Sequence, residues 1–164
     1  MIIRIPKTTY YHKWFIGATL VVPVLPLTAQ TSPNLVFIMA DQYRGDALGC
    51  LGKEPVKTPC LDHLASEGVL FTNAVSSYPV SSPARAMLMT GMYPLHNKVT
   101  GNCNSQTAPY GVELPQEARC WSDVLKDMNY RTGYIGKWHL DGSDYFGNGR
   151  CPDGWDSDYW YDMK

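Results

Sequence analysis

Ser81, Pro83 and Arg85 alternate in the run Pro-Val-Ser-Ser-Pro-Ala-Arg-Ala-Met-Leu-Met-Thr-Gly at residues 79–91. Ser82 can cap a helix, and Pro83 suits the first helical position, where its missing N–H costs nothing. Ser81 then falls just before a helix N-terminus, where free amides and the helix dipole favour an anion. Arg85 turns back toward the same end and offers a planar, permanently charged fork to paired oxygens. Further on, Lys137 and His139 flank Trp138. In extended backbone the two point to one side, where they supply a cation and a proton donor. Asp41 and Gln42 close an apolar run and carry the oxygens a hard cation takes. Singly, each motif also fits a plain role: a capped helix start, a surface Lys-x-His, a strand-end turn. Together they describe a site for an anion.

Several elements must position these groups. Leu35 to Ala40 is continuously apolar and reads as a buried strand of a parallel or mixed sheet. Thr58-Pro59 opens a helix to Glu67, with Leu61, Leu64 and Ala65 on one face and Gly68 as the stop. Val69 to Ala74 reads as a short strand. The helix after Ser81 buries Ala84, Met87 and Leu88 and stops at Gly91. Residues 97–119 read as loop. Trp121 to Met128 is a second amphipathic helix, with Trp121, Val124, Leu125 and Met128 inward and Ser122 near its cap. Thr132 to Ile135 is a further strand, and loop follows Gly142. Such alternation argues an α/β fold, in which ligands sit beyond the carboxyl ends of strands.

Three blocks in order carry a resemblance to a known family. Ser81 to Gly91 resembles the sulfatase signature, Cys/Ser-x-Pro-x-Arg followed by an apolar helix and Thr-Gly, in its serine type. Asn34 to Gly52 resembles that family's opening strand and metal turn, and Gly133 to Leu140 its Gly-Lys-Trp-His block. Gly154-Trp155-Asp156 resembles its later Gly-Phe-Asp turn. The resemblance implies an alkaline phosphatase-like fold, of which this chain is the N-terminal portion: a mixed, largely parallel sheet flanked by helices. It implies that a maturase oxidises Ser81 to formylglycine, whose hydrate attacks sulfur. A plain serine would stall as a stable sulfate ester. It implies Arg85, Lys137 and His139 as catalytic partners. Asp41, Gln42 and the Ser81 group become ligands of Ca2+, with Mg2+ as an alternative. The family more often has a second Asp where Gln42 stands. Asp46 reads as a solvated turn residue, His96 as structural or substrate-adjacent, and His12 and His63 as incidental. The aromatic residues Tyr145, Phe146, Trp155, Tyr159, Trp160 and Tyr161 either stack on sugar or pack a loop.

The chain has 164 residues and a net charge of −1. Its Lys and Arg form no dense patch, so a nucleic-acid partner has no support. Residues 1–29 read as a secretory signal peptide, with Arg4, Lys7 and Lys13 ahead of an apolar run broken by Pro23 and Pro26. That run is too short for a stable membrane anchor. Residues 30–164 are then an incomplete N-terminal part of a catalytic domain, exported to the periplasm or secreted by a bacterium. Five cysteines lack a C-x-x-C spacing, so zinc has no support.

The function expected is sulfuric ester hydrolysis on a sulfated carbohydrate or small sulfate ester, with this chain inactive by itself. The other readings are a phosphatase or phosphodiesterase of the same fold using unmodified Ser81, and a non-catalytic remnant.

Overall fold

The computed structural model describes residues 2–3, 32–143 and 151–162. The chain divides into two compact units, residues 1–74 and 75–164. The expected signal peptide lies outside the described residues apart from Ile2–Ile3. No helix among the described residues is long and apolar enough to cross a membrane.

In the first unit, β1 (Ile2–Ile3) pairs antiparallel with β2 (Val69–Leu70), in register Ile2 to Leu70 and Ile3 to Val69. Between them lies α1 (Pro59–Glu67), with Pro at its start and Gly68 as its C-cap, as the sequence predicts. Asp62 on α1 organises the turn before the helix. Its Oδ1 accepts from Cys50 N–H at 2.8 Å and Thr58 Oγ1 at 2.7 Å. A Cβ on Gly49 would meet Asp62 Oδ2 at 2.6 Å, so a side chain there would have to displace that carboxylate.

Three expectations fail wholly or in part in this unit. Leu35 to Ala40 belongs to no strand, and Val36 and Ile38 are 84% and 85% exposed. A strand buried on both faces needs neighbours to take its N–H and C=O groups, and no strand among the described residues pairs here. Val69 to Ala74 shortens to β2 for the same reason. The expected face of α1 is only half-covered: Leu64 and Ala65 are intermediate and Leu61 is exposed.

The second unit holds α2 (Ser81–Thr90), α3 (Pro94–Asn97), α4 (Trp121–Asp127), β3 (Tyr134–Gly136) and β4 (Trp160–Asp162). Strands β3 and β4 pair in parallel, Tyr134 to Trp160 and Gly136 to Asp162. The chain is thus α/β with mixed strand pairing. The core gathers Ala86 and Met89 of α2, Val99, Cys103, Cys120, Trp138, Leu140 and Trp155. Tyr134 stacks on Trp160, with centroids 4.8 Å apart, and meets Trp155 and Trp138 edge-on at 5.2 and 5.4 Å. Such pairs add about 0.5–1.5 kcal/mol each beyond the area they bury. Trp155 and Trp160 are therefore packed residues rather than a sugar platform; Tyr145 and Phe146 lie outside the described residues.

Gly91 ends α2 in the left-handed region at φ 69°, its N–H donating to Met87 O at 2.8 Å, as expected. The buried face of α2 differs: Ser82, Pro83, Arg85, Ala86 and Met89 point inward, while Ala84, Met87 and Leu88 are half-exposed. The helix begins two residues before Pro83, at Ser81, with Val80 as N-cap. Ser82 is not the cap. On α4, Cys120 and Asp123 form the capping box, and Cys120 N–H donates to Asp123 Oδ2 at 2.8 Å. Ser122 is buried in its first turn, whereas Val124 and Met128 are exposed. Strand β4 replaces the loop expected after Gly142. Gly154 closes the turn before it, where a Cβ would meet Ser122 Oγ at 2.4 Å and Asp123 N at 2.7 Å.

Candidate functional site

The first turn of α2 carries Ser81, and the segment after β3 carries Lys137 and His139. Ser81 Oγ lies 2.9 Å from His139 Nδ1. Arg85 Nη1 donates to Lys137 O at 2.6 Å, and Tyr134 Oη donates to the same carbonyl. Four of the sequence-predicted site residues, Ser81, Arg85, Lys137 and His139, thus meet in the second unit.

The local backbone explains the meeting. Gly136 ends β3 at φ 115°, a conformation that favours glycine. His139 then adopts φ 56° and is 2% exposed. His139 is not extended, so the alternation assumed for Lys137 and His139 does not hold at that residue. Instead, the left-handed turn brings the imidazole to Ser81 and leaves the Lys137 carbonyl to Arg85. A non-glycine residue held there costs on the order of 1–3 kcal/mol and persists only where its surroundings fix it. Here buried Trp138 and Leu140 flank it, and Leu114 N–H donates to Leu140 O at 2.8 Å. Trp138 N–H donates to Asp162 Oδ1 at 3.1 Å, which ties the segment to β4.

Arg85 is 6% exposed. A buried guanidinium requires fixed acceptors, and the Lys137 carbonyl is one of them. Burial pushes the Tyr134 phenol up to about 12, against the opposing influence of Arg85 beside it. Tyr134 is thus a neutral donor that helps fix the Lys137 carbonyl. The sequence reading missed it, although it lies inside the Gly133 to Leu140 block.

The helix end itself differs from the expected anion cradle. Ser82 N–H donates to Asn102 Oδ1 at 3.2 Å, Pro83 has no N–H, and Ala84 N–H returns to Val80 O at 2.9 Å. Two of the three amides that follow Ser81 are engaged and the third is absent. An anion here is served by side chains more than by free amides.

Asp41 and Gln42 form an exposed turn of the first unit, with Gln42 at φ 50°. Their oxygens are of the type that suits Ca2+ or Mg2+. Among the described residues no three His, Cys, Asp or Glu side chains converge as a metal site. The donor type fits, but two residues fall short of the roughly 6–8 oxygens calcium takes. Asp46 is an exposed turn residue as expected, paired with Lys53 at 2.7 Å. His96 is exposed beside Tyr78 and Tyr93 in the wall of a cavity of about 570 Å³.

The sulfatase family profile matches residues 33–163, and the chain belongs to that family. A crystal structure of the putative sulfatase yidJ from Bacteroides fragilis is 66% identical, with a TM-score of 0.69 over 81% of this chain and 32% of that one. The likeness places the fold in the alkaline phosphatase-like class. The sulfatase YidJ of Escherichia coli, itself uncharacterized, is 44% identical over 79% of this chain and 24% of its own length. An N-acetylgalactosamine-6-O-sulfatase of Bacteroides thetaiotaomicron is 43% identical over 66% of this chain and 20% of its own. The chain spans about a quarter or less of the length of these two curated relatives.

Proposed function

We propose that this chain carries the nucleophile-bearing part of a sulfuric ester hydrolase acting on a sulfated carbohydrate. The observation that carries the reading is Ser81 Oγ at 2.9 Å from His139 Nδ1, with Arg85 buried one helical turn away. Ser81, converted to formylglycine by a maturase, supplies the attacking hydroxyl. Arg85 orients the sulfate oxygens through its charged fork. His139 holds or passes a proton at the hydroxyl, and Lys137 adds positive charge for the ester oxygens. Asp41 and Gln42 would hold Ca2+ or Mg2+, which when bound polarises oxygen. The curated relative named for 6-sulfated N-acetylgalactosamine supports a sulfated sugar as the substrate class. The apolar, proline-broken stretch behind Arg4, Lys7 and Lys13 supports export to the periplasm or beyond.

Sulfate release from 6-sulfated N-acetylgalactosamine tests the reading, measured on protein that contains this chain at its full length. Ser81→Ala should abolish release and leave the fold intact. Activity retained in that variant would refute the role of Ser81.

A second reading draws on the same contact. An unmodified serine hydroxyl beside an imidazole is a nucleophile–base pair, suited to hydrolysing a phosphate ester. Turnover of a phosphate monoester by protein whose Ser81 is unmodified would favour it.

A further inference from the structure

We propose that Asn102 is a positioning residue for Ser81, acting as a helix cap supplied from a distant loop. The proposal deepens the reading of Ser81 as the reacting residue and rests on it.

An N-cap side chain ordinarily accepts from the amide of the second or third helical residue. In α2 the N-cap is Val80, which has no side-chain oxygen, and the third residue is Pro83, which has no N–H. The second residue, Ser82, keeps its amide, and Asn102 Oδ1 accepts it from 20 residues away. The next residue of the loop closes a second bond: Cys103 N–H donates to Ser82 Oγ at 3.0 Å. Ser82 and Cys103 are both fully buried. The Ser82 peptide unit is thus gripped at its amide and its side chain, and Ser81 is the residue immediately before it.

The loop is itself fixed. Thr107 Oγ1 donates to Asn102 O at 2.8 Å, and Asn104 Oδ1 accepts from both Gln106 N–H and Thr107 N–H at 2.9 Å. Asn102 therefore stands on a rigid base. With its oxygen in place, the first turn of α2 keeps one orientation, and Ser81 Oγ faces His139 Nδ1. Without it, the Ser82 amide has no helical acceptor, and a helix end with an unsatisfied amide frays.

Nitrogen NMR of the histidine rings in the full chain reads this directly, with no need for turnover. The His139 resonance is assigned with His139→Asn. Ser81→Ala defines the Nδ1 shift with the Ser81 contact removed. Asn102→Ala is expected to move Nδ1 most of the way to that value. Asn102→Ser, polar but too short to reach the Ser82 amide, should do the same. Asn102→Asp keeps the accepting oxygen and should hold the wild-type shift, with Ser82 amide exchange still slow. An unchanged Nδ1 in both Asn102→Ala and Asn102→Ser would overturn the proposal. So would an Asn102→Asp protein that resembles Ser81→Ala, which decides the matter even if Asn102→Ala does not fold. A Ser81→Ala protein with an unmoved resonance would show that the Ser81–His139 bond is missing in solution, and the proposal would fall with it. Failure of the sulfatase reading appears elsewhere, as sulfate release that survives Ser81→Ala.

Discussion

Ser81 Oγ and His139 Nδ1 stand 2.9 Å apart across 58 residues of sequence. One partner is set by the first turn of a helix and the other by a single left-handed residue after a strand. Neither element alone would place the pair.

The conformation of His139 gives the first prediction. At φ 56° a β-branched residue is disfavoured more than asparagine, which visits this region readily. His139→Val should therefore lower stability below that of His139→Asn by about 1–2 kcal/mol. Urea unfolding of the two variants checks this. Equal midpoints would mean that residue 139 does not adopt the left-handed conformation.

Arg85→Lys should cost far more activity than charge conservation implies. A lysine ammonium is a point charge, and it lacks the fork that reaches a carbonyl and a sulfate oxygen together. Loss of the buried bond to Lys137 O should also destabilise the protein by about 1–3 kcal/mol. Sulfate release and thermal unfolding, measured side by side, separate the two effects. Wild-type values in both would remove Arg85 from the site.

How far the sequence carried this account depended on how local each feature is. The bounds of α1 and the stop at Gly91 were legible because Pro59, Gly68 and Gly91 act on their own backbone. The inner face of α2 was not: apolar residues lie on both sides of it, and Ser82 is buried by a bond from Cys103 rather than by its own polarity. Leu35 to Ala40 has a strand's composition, but a strand also needs a partner, which no local pattern supplies. β4 is three residues long, too short for periodicity to show. The residue types of the site were readable from the three motifs. The turn that joins Ser81 to His139 was not, because alternation assumes an extended backbone and His139 leaves it.

Alkaline pH should weaken the fold in a defined window. Burial pushes the Cys103 and Cys120 thiols from 9.0 up to about 11, and the Tyr134 phenol from 10.0 up to about 12. In the unfolded chain these groups lose protons first, so above pH 9 the unfolded state binds fewer protons and stability falls as pH rises. Their contribution is complete below pH 9 and disappears between about pH 9 and 12. Urea midpoints at pH 8 and pH 10.5 should therefore differ, with the lower at pH 10.5. At pH 8 a thiol reagent should label exposed Cys50 and Cys60 and spare Cys103 and Cys120. Rapid labelling of all five would contradict the burial.

Calcium affinity should depend on Asp41. Replacing its carboxylate by an amide removes the one negative charge of the Asp41–Gln42 pair. Calorimetry on the full-length protein should show Asp41→Asn binding at least about tenfold more weakly, a loss of about 1.4 kcal/mol. Unchanged affinity would exclude Asp41 as a ligand.

The central claim is that Ser81 is the residue converted into the reacting aldehyde. Mass spectrometry of the Ser81 peptide tests it, after co-expression with an anaerobic radical maturase. The expected peptide is lighter than the encoded one by the mass of a hydrogen molecule, with the change located at Ser81 and absent in Ser81→Ala. A peptide that keeps its encoded mass under those conditions would contradict it and leave Ser81 as an ordinary serine.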